Sequence, residues 1–226
     1  MGRDTKLQSK RVQVHTEAVT PITLQLIKDL SKQDFIKDFH LAGGTALALQ
    51  IGHRLSVDLD FFSLTEFAPR SWINKLTELG EVSNIQIGES NLLCFINGVK
   101  VEFIYFAYPP KHPYTEMLGL KLLDPVDIGM LKLLAIVGRN RKKDILDLYC
   151  IDKEVMSLKK LFQEFISSFD KGDINLLKQL ELLFDEKQIE KSEIPVMLRE
   201  IEWKKAYNHV KTEIAEAIRI HFLVHN

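Results

Sequence analysis

The sequence predicts an α+β fold, in which a mixed-sheet domain with flanking helices is followed by a helical domain. Three observations carry this expectation. Up to Phe106 the chain is built largely of short alternating or β-rich runs, two of them joined by Asn97-Gly98, a strong hairpin signal. Pro109, Pro110 and Pro113 then interrupt the pattern. Beyond Asp124-Pro125 the apolar residues recur at helical spacing. The expected boundaries are residues 1–112 for the sheet domain with its N-terminal helix, and residues 113–226 for the helical domain.

The first element is a helix over Thr20 to Gln33, with apolar residues at Ile22, Leu24, Ile27 and Leu30 behind a Thr20-Pro21 start. Phe39 to Ala42 is a short strand, Gly43-Gly44 a turn, and Thr45 to Gln50 a helix built from good helix formers. From Leu55 to Phe62 apolar and polar residues alternate, which makes a strand with Ser56, Asp58, Asp60 and Phe62 on one face. Pro69 and Ser71 open a helix that ends at Gly80, Val82 to Gly88 is a strand, and Leu92 to Ile96 with Val99 to Phe106 forms the hairpin. About five strands result from this pattern. The helical half is read as Val126 to Val137, Lys143 to Cys150, Leu158 to Phe169, Ile174 to Phe184, and Ile194 onward.

Composition narrows the function. Hydrophobic residues make up 46% of the 226, enough for a packed core, and a formal net charge of −1 supplies no global field for nucleic acid or membrane. A polyanionic partner needs a local patch, and Arg139, Arg141, Lys142 and Lys143 form the densest basic cluster. Cations at a helix carboxyl terminus would explain that cluster equally well. Two cysteines without metal-ligand spacing are expected to be reduced and buried, and no run of about 20 apolar residues is present, so a cytoplasmic protein without membrane contact is expected.

Chemistry concentrates in two places. Asp58 and Asp60 are residues i and i+2 of a strand, so both carboxylates leave the same face and can share a cation; Mg²⁺, which binds one or two carboxylates together with substrate phosphates, suits them. Two aspartates on a strand are more often its solvated face, but apolar residues border this pair on both sides. Gly43-Gly44-Thr45 stands between a strand and a helix, where backbone N–H groups can grip an anion, although an ordinary tight turn has the same sequence. Their order, with one short helix between them, juxtaposes an anion grip and a cation site as a metal-bound triphosphate requires. Glu102, between Val101 and Phe103, is either the less buried face of its strand or a third acid that shares the metal and accepts a proton. Glycosyltransferases also use Asp-x-Asp but do not require the upstream glycines, and a haloacid-dehalogenase phosphatase needs a small residue where Phe62 stands.

The run Leu41-Ala42-Gly43-Gly44-Thr45-Ala46-Leu47-Ala48-Leu49, followed by Gly52-His53-Arg54-Leu55-Ser56-Val57-Asp58-Leu59-Asp60-Phe61-Phe62, resembles the signature of the AbiEii-type toxins of the nucleotidyltransferase superfamily. Asp124-Pro125, Met130 to Leu133, Arg139 and Lys143 to Tyr149 are similar to that family's helical motif, so the resemblance covers about residues 38 to 150. It implies a nucleotidyltransferase-like, polymerase-beta-like palm and a transferase that moves nucleotides from an NTP to an acceptor, as such toxins do to the tRNA 3′ end, restrained by a cognate antitoxin. The implied metal ligands for Mg²⁺ or Mn²⁺ are Asp58, Asp60 and Glu102, with glutamate where the family commonly has aspartate. The implied nucleotide-binding residues are Gly43, Gly44, Thr45, Arg54, Ser56, Lys132 and Arg139, with Lys132 also catalytic. Lys132 and Arg139 would share a helix face, and Asp144 and Asp147, at i and i+3, would orient them or meet the acceptor. Arg54 would pair with Asp58 or with phosphate, while His53 is read as a turn residue. The alternative is a binding protein on a decayed transferase fold.

Overall fold

The computed structural model describes residues 13–138, 141–169, 189 and 191–225. Its sheet has seven strands in the order β3-β4-β5-β2-β1-β7-β6. These are β1 (Phe39–Ala42), β2 (Leu59–Ser63), β3 (Val82–Ile87), β4 (Asn91–Ile96), β5 (Val99–Tyr105), β6 (Thr115–Met117) and β7 (Leu120–Leu122). The central strand β2 pairs antiparallel with β1 and parallel with β5, so the sheet is mixed. Helix α1 (Pro21–Leu30) begins as expected: Thr23 N–H donates to Thr20 Oγ1 at 3.2 Å, with proline in the first turn. The β4–β5 hairpin turns at Asn97 (φ 50°) and Gly98 (φ 80°), the left-handed pair that a two-residue turn requires.

Alternation on the central strands sorts the chemistry from the core. Leu59, Phe61, Val101 and Phe103 are buried on one face, where Phe61 and Phe103 stack with centroids 5.3 Å apart and Trp72 closes over Phe103 at 5.4 Å. Asp60, Phe62, Glu102 and Ile104 must then point to the other face. Across a cleft from that face lies α4 (Pro125–Gly138). Behind it pack α5 (Lys142–Glu154), α6 (Leu158–Phe169) and α7 (Trp203–His225). The short helices α2 (Gly43–Ile51) and α3 (Ile73–Thr77) complete the set. The expected helix over 174–184 lies outside the described residues.

Three expectations are corrected. The sheet has seven strands rather than about five, because the three-residue strands β6 and β7 form a hairpin that pairs with β1 through His40 and Leu41. That hairpin follows the prolines, so the sheet continues beyond residue 112. The strand expected to start at Leu55 starts at Leu59, leaving Asp58 at its mouth; Ser56 bridges Val19 instead. The segment from Ile194 is not helical until Trp203: Pro195 interrupts it, and Leu55 N–H donates to Val196 O at 2.8 Å while Leu198 N–H donates to His53 O at 3.0 Å. Its alternation of Ile194, Val196 and Leu198 suits this extended pairing.

Candidate active site

Gly43, Gly44, Arg54, Ser56, Asp58, Asp60, Glu102, Lys132 and Lys143 line one cleft of about 510 Å³ between the sheet and α4. Parallel pairing puts Asp60 in register with Glu102, and antiparallel pairing puts it in register with Ala42, the residue before the glycine turn. Close approach explains both glycines. A methyl at Gly43 would lie 2.2 Å from Asp60 Oδ2, and φ of +63° there already disfavours any other residue; at Gly44 a methyl would lie 2.1 Å from Arg54 Nη2. Thr45 is buried, and its hydroxyl bonds Ser56 Oγ at 2.9 Å and donates to Asp58 O, so it ties the helix start to the mouth of β2. Thr45 itself does not line the cleft.

Burial raises the Asp60 carboxyl above the ordinary carboxylate range, and Asp58 and Glu102 push in the same direction against Lys100 and Lys132. An added cation would relieve that repulsion, and the acids offer only oxygen donors, so these residues fit Mg²⁺ or Mn²⁺. No group of three His, Cys, Asp or Glu side chains among the described residues is drawn into a metal cage. Glu102 reaches Lys100 at 3.3 Å, and Asp58 lies 3.6 Å from Lys143.

Arg54 and Lys132, at the floor of the cleft, belong to a buried charge cluster centred on Asp147 of α5. Its Oδ1 accepts from Arg54 Nε at 2.6 Å and meets His53 Nε2 at 2.8 Å; its Oδ2 accepts from Arg54 Nη2 at 3.0 Å and lies 2.6 Å from Lys132 Nζ. Lys132 also donates to Asp144 at 2.8 Å. Burial works against the Asp147 anion, but Arg54 and Lys132 outweigh it and hold its pKa well below the usual range. Burial also opposes the Lys132 cation, yet Asp147 and Asp144 keep its pKa above normal. Arg54 therefore pairs with Asp147 in the bidentate manner rather than with Asp58. Lys132 pairs with Asp144 and Asp147 of α5, while Asp127, on the same helix as Lys132, accepts the backbone N–H groups of Lys111 and His112.

The family model described as "Nucleotidyl transferase AbiEii toxin, Type IV TA system" matches residues 25–218. The chain belongs to the AbiEii family. Its relatives include the uncharacterized protein aq_aa25 of Aquifex aeolicus (strain VF5), 30% identical over 154 residues, which are 66% of this chain and 75% of that protein. Among solved structures, MenT4, a nucleotidyltransferase toxin of Mycobacterium tuberculosis H37Rv, superposes with a TM-score of 0.55 at 14% identity over 87% of this chain and 81% of its own. JHP933 of Helicobacter pylori gives 0.51 at 16% over 86% and 88%. The likeness to these structures is one of fold, and it matches the mixed sheet flanked by helices.

For this AbiEii member the helical motif proves to be the cluster under the cleft. What sequence reasoning missed is His53: read as a turn residue, it is buried against Asp147, 94 residues away in the chain. The only available signal was the i, i+3 spacing of Asp144 and Asp147. The basic cluster does not form one exposed patch. Lys142 is buried over the Trp203 ring at 5.6 Å, Lys143 turns to Asp58, and Arg141 is exposed; Arg139 lies outside the described residues. Arg141, Lys142 and Lys143 stand at the amino end of α5. Burial pushes the Cys94 thiol up to about 11 and Cys150 to about 12, as inert thiols. No helix among the described residues is long and apolar enough to cross a membrane.

Proposed function

We propose that this toxin-family transferase moves a nucleotide from an NTP to the 3′ end of tRNA, using a divalent metal, and that a cognate antitoxin restrains it. The observation that carries the reading is the register of Asp60 with Glu102 on parallel strands, facing a glycine turn that a methyl group would block. The acceptor rests on the family resemblance. Asp58, Asp60 and Glu102 would hold Mg²⁺ or Mn²⁺, which when bound offsets phosphate charge and steadies the leaving pyrophosphate. The N–H groups of Gly43, Gly44 and Thr45 at the start of α2 bind phosphate oxygens, and Lys132 adds positive charge from α4. Glu102 takes the proton of the acceptor hydroxyl as its oxygen bonds to the α-phosphorus and the bond to pyrophosphate breaks. Arg54 and Ser56 shape the turn through their bonds to Asp147 and Thr45.

A non-catalytic reading draws on the pairs Lys143–Asp58 and Lys100–Glu102, which neutralise two acids without metal. The two part in one experiment. The protein is incubated with each α-labelled NTP, Mg²⁺, and a cell extract split into RNA and protein fractions. Label in RNA of tRNA size is expected. Label in the protein fraction alone would replace the acceptor, and no label in either fraction would leave the binding protein.

A further inference from the structure

Next to the cleft is a smaller cavity of about 270 Å³ that shares Phe62, Phe106 and Leu131 with it. Resting on the transferase reading, we infer that this cavity is a nucleobase pocket, filled by the base of the incoming triphosphate or by the terminal base of the acceptor.

Position is the first argument. Phe62 follows Asp60 by two residues on the same strand face, so it stands about 6.7 Å farther along the sheet, the offset a ribose places between a phosphate and its base. Phe106 N–H donates to Ser63 O at 2.8 Å, which extends the β2–β5 pairing and brings its ring within 5.2 Å of Phe62. Tyr108 continues the wall, 5.4 Å from Phe106, and half of it is exposed although it is a large aromatic residue. Three successive rings leading away from a carboxylate pair are a stacking surface for planar heterocycles.

Charge and size are the second argument. The charged side chains at this cavity are occupied: Asp127 accepts two backbone N–H groups, and Lys111 Nζ is held by Ser167 Oγ at 2.6 Å and Glu164 O at 3.2 Å. That leaves an apolar, aromatic lining with hydroxyls at its edge, which suits an uncharged ring bearing polar edges rather than a phosphate. A volume of this size admits a ring system and leaves the sugar and phosphates to the larger cleft.

The test uses the full chain and probes that separate base from phosphate. Calorimetry is run with the four nucleosides, the four NTPs with Mg²⁺, and inorganic tripolyphosphate, on wild type, Phe106→Ala, Tyr108→Ala and Asp60→Asn. Loss of stacking should weaken at least one nucleoside and its NTP about 5- to 100-fold in Phe106→Ala, with tripolyphosphate unchanged. Should the NTPs hold their affinity while the acceptor KM rises by that factor, the pocket holds the acceptor base. Ser167→Trp, at an exposed position on the cavity rim, should block the same ligands without removing a core ring. Nucleoside, NTP and acceptor all indifferent to Phe106→Ala and Ser167→Trp would overturn the inference. Nucleosides lack phosphates, so their binding should survive in Asp60→Asn. A wild type that binds nucleosides at Phe106 yet transfers nothing would refute the transferase and keep the pocket.

Discussion

At the level of single residues, two aspartates of opposite electrostatic character set the behaviour of the site. Asp60 is held above the usual carboxylate pKa by burial and by its acidic neighbours, so its ionised form opposes folding and protonation relieves that cost. Asp60→Asn should leave the melting temperature in EDTA unchanged or raised. Transfer should fall by about two orders of magnitude or more, since metal stabilisation of phosphoryl transfer is worth several kcal/mol and each ~1.4 kcal/mol is tenfold in rate. Unimpaired transfer would remove Asp60 from the metal site. Asp147 behaves the other way. Its depressed pKa gives stability that is complete above the unfolded carboxylate value of about 4 and is lost as pH falls through the lower folded value. Asp147→Ala leaves Arg54 and Lys132 buried without this shared partner, and a loss of about 3–5 kcal/mol in denaturant unfolding at neutral pH is expected. The gap between wild type and mutant should narrow below pH 4; a gap that is constant to pH 2 would show that packing, not charge, is what Asp147 supplies.

At the level of elements, the join between β1 and α2 is the tightest constraint. Gly43→Ala meets both a left-handed backbone, which costs about 1–2 kcal/mol, and a clash with Asp60 Oδ2. It should lower both the melting temperature and NTP affinity, whereas Gly98→Ala, with open space around it and a similar φ of +80°, should lower stability alone. Equal NTP affinity in the two variants would disconnect the turn from the phosphates. This join was readable because its signals are local: a strand, two glycines, a helix, then alternation through Asp60. The hairpin at 97–98 was readable for the same reason. Strands β6 and β7 were not, since three residues are too few to show a period and proline-rich sequence precedes them. The pairing of 196–198 with 53–55 escaped because the alternation of Ile194, Val196 and Leu198 is too short to name a partner, and an apolar run near a helix reads as more helix. His53 escaped because an isolated histidine gains its meaning only from a partner in another element.

Across the whole molecule, the site is built from distant parts of the chain. The acids come from β2, the residue before it and β5, the glycines from the β1–α2 turn, the cation from α4, and the acids that position it from α5. The segment after residue 190 then pairs with the loop carrying His53 and Arg54. Because Leu55 and Leu198 each donate across that junction, their amides should exchange with solvent through one shared opening, and hydrogen exchange should give them equal protection. Fast exchange at Leu198 with Leu55 still protected would make the segment a passive cover. The junction also acts as a clock. A ribosome adds about 5–20 residues per second, so on the order of ten seconds separate synthesis of Asp60 from synthesis of Leu198. During that interval Arg54 first waits for Asp147 and then for the segment that pairs beside it, so the nascent chain carries every acid of the site before it has the scaffold that aligns them.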